Sequence, residues 1–149
     1  MKQRMLGSRV CFVALAAALA LPGCTAPVAA PAPSLYERVG GREAIAAVID
    51  DAIVNLAADE RINRRFGNAS IPRLRRNLVD LLCVRTGGPC AYGGESMADA
   101  HDGMQIRAGE FDALLEDIAR SLEKYRVPAR EQGEVLAILR QMKSAVIEH

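Results

Sequence analysis

From Ser34 onward the chain repeats its apolar residues at helical spacing and nowhere alternates them, and this period restricts the fold more than any other feature. Ile45, Val48, Ile49, Ala52, Ile53 and Leu56 share one helical face, on a segment that starts after Gly40-Gly41. Leu74, Leu78, Leu81 and Leu82 make a second face, with Ser70 as its cap residue and Pro72 in the first turn. Phe111, Leu114, Leu115, Ile118 and Leu122 make a third. Val135, Leu139, Met142 and Val146 make a fourth, opened by Pro128. No run is rich in β-branched and aromatic residues, and no internal repeat is present. The spacing predicts an all-α domain.

Residues ahead of Ser34 belong to a different kind of segment. Lys2, Arg4 and Arg9 precede an apolar run, Val10 to Leu21, with no acid among them. A spanning helix needs about 20 apolar residues, so this run reads as a secretory signal. It ends in Leu21-Pro22-Gly23-Cys24, which resembles a bacterial lipobox with Cys24 as the lipid-carrying residue. Pro22 is unusual there, and an ordinary cleaved signal is the alternative. Thr25 gives no inner-membrane retention signal of the Asp type, which favours an outer-membrane anchor facing the periplasm. Ala26 to Pro33 is uncharged and Ala/Pro-rich, a stiff tether. The expected plan is a signal peptide over 1–23, a tether over 24–33 and one domain over 34–149, exported to the periplasmic side of a bacterial membrane.

Charge and motifs exclude several functions. The net charge is +1, and removing residues 1–23 takes three of 19 basic residues and none of 18 acidic ones, leaving 16 against 18. That balance gives no support for nucleic acid, and leaves a membrane contact only through the N-terminal lipid anchor. There is no Gly-rich phosphate loop, no His-Glu-x-x-His and no Gly-x-Ser-x-Gly. Cys11 leaves with the signal, so Cys83 and Cys90 remain in the domain, bracketing Gly87-Gly88-Pro89. In an oxidising compartment they read as a local disulfide contributing about 2 kcal/mol. A two-Cys metal site is the competing reading, without nearby partners of suitable spacing.

Two His exclude a His cluster. His149 sits at the C-terminus and reads as exposed. His101 lies within Cys83–Arg107, a stretch of weak periodicity that holds Gly87, Gly88, Gly93, Gly94 and Gly103. Such a stretch in a small helical domain is usually functional. A lone His is commonly structural or exposed, yet it suffices as a metal's protein ligand when a porphyrin supplies the other four nitrogens. Arg73, Arg75 and Arg76, with Arg64 and Arg65 upstream, are either a solvated helix face or a contact for an anionic group at a pocket mouth.

Five motifs in order then make the chain resemble the truncated haemoglobins, group I in particular, from Leu35 to about Val146. They are Leu35-Tyr36-x-x-x-Gly40-Gly41, Phe66 after Asp59-Glu60-Arg61-Ile62, Gly87-Gly88-Pro89 with Tyr92-Gly93-Gly94, Met97-x-x-x-His101-x-Gly103-x-x-Ile106, and Phe111-Asp112. The resemblance implies a two-over-two helical sandwich holding haem b, with His101 as the iron ligand. By the same match Phe66, Leu74, Leu78, Leu82, Tyr92, Met97, Met104, Ile106 and Phe111 would line the haem. Arg73 or Arg76 would meet its propionates.

Departures from the family pattern bear on function. The family commonly has Tyr, and often Gln, above the iron; this chain has Ile53 and Leu78 there, with Leu74 beside them. None donates a hydrogen bond, so dioxygen, which gathers negative charge, loses stabilisation. An apolar distal pocket suits carbon monoxide or nitric oxide. Gln105 stands where Gly is usual, which leaves the turn after His101 open. The expected function is binding of a diatomic gas (oxygen, NO or CO). The alternatives are an NO- or peroxide-consuming redox enzyme, which needs a reductase or other electron donor, and a haem-less structural lipoprotein.

Overall fold

Three of the four apolar stripes become helix faces in the computed structural model, which describes residues 31–147. The expected signal peptide, Cys24, the tether up to Ala30 and His149 lie outside the described residues. Ala32–His149 groups as one unit by its contacts. Its helices are α1 (Leu35–Arg38), α2 (Gly41–Ala58), α3 (Ile71–Arg85), α4 (Met97–His101), α5 (Ala108–Lys124) and α6 (Ala129–Arg140). One 3-10 turn, Asn63–Phe66, lies between α2 and α3 and another, Lys143–Ala145, follows α6, and no strand occurs among the described residues.

Two pairs organise the fold, α2 with α3 and α5 with α6, and α2 packs on α5 to join them. Ile45, Val48, Ile49, Ala52 and Leu56 of α2 are buried at i, i+3, i+4 spacing, as are Phe111, Leu115, Ile118 and Leu122 of α5. Burying each such aliphatic side chain contributes about 1.5–3 kcal/mol, so this contact dominates the scaffold. A polar seam crosses it. Asn55 Nδ2 donates to Ser121 Oγ at 2.9 Å, Ser121 Oγ donates to Asp51 Oδ2 at 2.9 Å, and Lys124 pairs with Asp51.

Local chemistry sets the element ends. Ser34 and Glu37 cap α1 reciprocally, Ser34 Oγ accepting from Glu37 N at 3.2 Å and Glu37 Oε2 from Ser34 N at 2.7 Å. Gly40 and Gly41 then take φ of 98° and 74°, which reverses the chain into α2 without a Cβ clash. Ser70 precedes α3 in cap geometry but makes no side-chain hydrogen bond, so its capping role is limited to the backbone. The fourth stripe is not one helix: α6 ends at Arg140, and Met142 and Val146 are buried from the turn beyond it.

The first part of the weakly periodic Cys83–Arg107 stretch, through Glu95, is tied down at several points. Cys83 and Cys90 form a disulfide, with Cα atoms 5.9 Å apart. Tyr36 N donates to Thr86 O at 2.8 Å, and Thr86 Oγ1 donates to Leu82 O at 2.7 Å. A Cβ on Gly88 would sit 2.5 Å from the Tyr36 ring and 2.6 Å from Cys83 Sγ, so only glycine fits between them.

Candidate functional site

α4 is a five-residue helix with no buried residue, begun by Ser96, whose Oγ accepts from Asp99 N at 3.1 Å. His101 ends it, half-buried. Its Nδ1 lies 2.7 Å from Met97 O, one turn back. A carbonyl only accepts, so Nδ1 carries the proton, and Nε2 on the far side of the ring keeps its lone pair. That is the tautomer a metal ligand needs.

His101 opens onto a cavity of about 70 Å³. Phe66 comes from the Asn63–Phe66 turn, Met104 and Ile106 from the segment after His101, and Phe111 from the start of α5. Ile62, Leu114 and Val146 complete the apolar wall. Two charged residues share the lining, Arg65 and Glu110, and they neutralise each other. Arg65 Nε and Nη2 donate to the two Glu110 oxygens at 2.7 and 2.9 Å. The guanidinium, with the Arg107 N–H at 2.8 Å, holds the Glu110 carboxyl below its usual range.

The cavity thus brings together His101, Phe66, Met104, Ile106 and Phe111 from the sequence reading. The other named residues lie elsewhere. Leu82 is buried and lines a second, smaller cavity with Val39, Ile45, Val48 and Leu122. Ile53, Leu78, Tyr92 and Met97 are half-buried and pack on the main core, as does Met104. Leu74 is half-buried on α3. Burial pushes the Tyr92 phenol up, and its hydroxyl donates to Glu95 O at 3.0 Å. Arg73 and Arg76 are exposed, whereas Arg75 pairs with Asp50.

Sequence reasoning offered Arg65 only as part of a basic cluster that could meet an anionic group, and it missed Glu110 and the pairing of the two. They are 45 positions apart, and neither lies on an apolar stripe that would draw attention to it. Leu114 and Val146 did carry a signal, since each belongs to a helical stripe that ends at the cavity. Gln105 has a structural explanation. It takes φ of 49°, in the left-handed region where glycine is unstrained.

A family model described as bacterial-like globin matches residues 34–148. The group 1 truncated hemoglobin of Tetrahymena thermophila is 31% identical over 107 residues, covering 72% of this chain and 88% of that protein. The crystal structure of truncated hemoglobin from Tetrahymena pyriformis, in the Fe(III) form, superposes with a TM-score of 0.75 at 28% identity, covering 77% of this chain and 98% of that one. A 2/2 hemoglobin from a Synechococcus species, in the cyanomet state with covalently attached heme, gives 0.73 at 28% identity, covering 78% and 100%.

Proposed function

Because the chain belongs to the bacterial-like globin family, as a group I truncated haemoglobin, we propose that it binds haem b in the His101 cavity and takes up a diatomic gas there. Its all-α fold is the two-over-two helical sandwich of that group. The observation that carries the proposal is His101 itself. Its Nδ1 proton is committed to Met97 O, so its second nitrogen is free to ligate, beside a wall of Phe66, Phe111, Met104 and Ile106. An apolar wall with one available imidazole suits a flat hydrophobic macrocycle with a metal at its centre. Haem, when bound, supplies an iron atom with a free coordination position for a gas.

The chain's own residues then determine what that position favours. Ile53, Leu74 and Leu78 carry no hydrogen-bond donor, so charge on a gas ligand goes unanswered from these side chains. Carbon monoxide and nitric oxide need little such help, and dioxygen would leave readily. Arg73 and Arg76, exposed on α3, are the proposed partners of the propionates. The test is titration of the apoprotein with haemin, followed by ferric, ferrous and CO spectra. A Soret band at one haem per chain, lost in His101→Ala with the helical content unchanged, is the expected result. No Soret band in the wild type, or one unchanged in His101→Ala, would overturn the reading.

We further infer that the protein works outside the cytoplasm, anchored by lipid at Cys24. The leader sequence and the Cys83–Cys90 disulfide in the folded unit both support an oxidising compartment. Fractionation of cells expressing Cys24→Ser tests it: the variant should leave the membrane fraction.

A further inference from the structure

We propose that Arg65 is a positioning residue for His101, one that sets how tightly the chain holds its haem; the inference rests on the haem-binding reading above. α4 has no fully buried residue and of its residues only half-buried Met97 packs on the core, so apolar packing alone does not fix the imidazole at the helix's other end. The segment that follows is also prone to relax. Gly103 and Gln105 have φ of 70° and 49°, and a side chain at the second position disfavours the conformation observed.

Arg65 braces this segment with all three guanidinium nitrogens. Nη1 donates to Met104 O at 2.7 Å and Nη2 reaches Gln105 O at 3.3 Å. Nε and Nη2 grip the Glu110 carboxylate, which also accepts from the Arg107 N–H. The bonds close around Met104–Glu110, the stretch that includes the strained Gln105. Met104 N in turn donates to His101 O at 3.1 Å, so the clasp stands one hydrogen bond from the His101 backbone. Committed in this way, Arg65 is not free for an anionic ligand at the same mouth. A planar fork is required, because the three N–H donors of a lysine ammonium cannot supply the two bonds to the carboxylate and one to each carbonyl seen here.

The test compares wild type, Arg65→Met, Arg65→Lys and Arg38→Met, each loaded with haemin. Arg38 pairs with Glu131 and Glu134 on α6 and so controls for loss of an ion pair away from the cavity. Two readouts are taken, haem transfer to a high-affinity apoglobin acceptor and the iron–histidine stretching band of the ferrous form. Arg65→Met should lose haem at least tenfold faster, with a shifted or broadened band, and Arg65→Lys should fall between it and wild type. Arg38→Met should match wild type in both. Amide exchange of the apoproteins adds a readout that needs no haem, and residues 102–107 should exchange faster in Arg65→Met. Arg65→Met holding haem with the wild-type rate and band overturns the positioning role and leaves haem binding standing. If Arg65→Met does not fold, Arg65→Lys with the wild-type rate and band overturns it equally. A wild type that takes up no haem overturns both.

Discussion

The contact between α2 and α5 and the flank that carries His101 are held by different forces. The first buries Ile49, Val48, Leu56 and Ile118 almost completely, at a spacing that repeats along both helices. The second rests on a helix with no buried residue and on two residues in the left-handed region. Hydrogen bonds hold it instead: Ser96 at the start of α4, Met97 O on His101, and Arg65 with Glu110 behind. Apolar packing is non-directional and gives rigidity, whereas hydrogen bonds fix orientation. The scaffold therefore supplies stability, and the flank supplies the aim of one imidazole.

That contrast breaks most visibly when the packed side is damaged. Ile49→Ala should cost about 2–5 kcal/mol, because Ile49 is wholly buried and its neighbours cannot all close in. His101→Ala, by comparison, should change apoprotein stability within about 0.5 kcal/mol, as a half-buried residue outside the core does. Urea unfolding of both apoproteins measures the pair. Equal losses would remove the distinction between scaffold and flank. Replacing both Cys83 and Cys90 by Ser should cost about 2 kcal/mol, given the short loop the bond closes. Its effect belongs to the 86–95 segment, so faster amide exchange there, with α2 and α5 protected as before, is the expected pattern.

How far the sequence reveals each region follows from the same difference. Helical period is a property of neighbouring residues, so the four stripes, the all-α class and the Gly40-Gly41 reversal are readable along the chain. The fourth stripe misleads only in its length, since Met142 and Val146 stay buried after the helix has ended. His101, Phe66 and Phe111 are legible because motifs carry them in order. The pairing of Arg65 with Glu110 is not, because a bond across 45 positions leaves no local pattern. Leu82 illustrates the converse: it lies on a readable stripe, yet α3 takes it to a cavity other than that of His101.

The proposed distal set, Ile53, Leu74 and Leu78, offers a smaller, sharper test. Ile53→Tyr would add a phenolic donor to a set of side chains that has none. A neutral hydrogen bond is worth about 0.5–1.5 kcal/mol, so dioxygen release should slow up to about tenfold while CO release barely changes. Flash photolysis with each gas measures both rates. Equal changes for the two gases would mean that the substitution acts by bulk rather than by donation.

The smallest effect concerns acid. Arg65 first, and then the Arg107 N–H, hold the folded Glu110 carboxyl below its unfolded value of about 4.3. A depressed carboxyl contributes stability that is complete above the unfolded value and is lost as pH falls through the folded one. Glu110→Gln should therefore be less stable than wild type near neutrality, by about 0.2–1 kcal/mol for a partly exposed pair. As pH falls past the unfolded value and through the folded one the two proteins should converge, since a protonated Glu110 holds Arg65 no better than a glutamine does. Thermal unfolding of the two apoproteins from pH 7 to pH 3 reads the gap directly. A gap independent of pH would mean that the clasp acts through shape rather than charge, and the flank would then be held by the same kind of force as the scaffold.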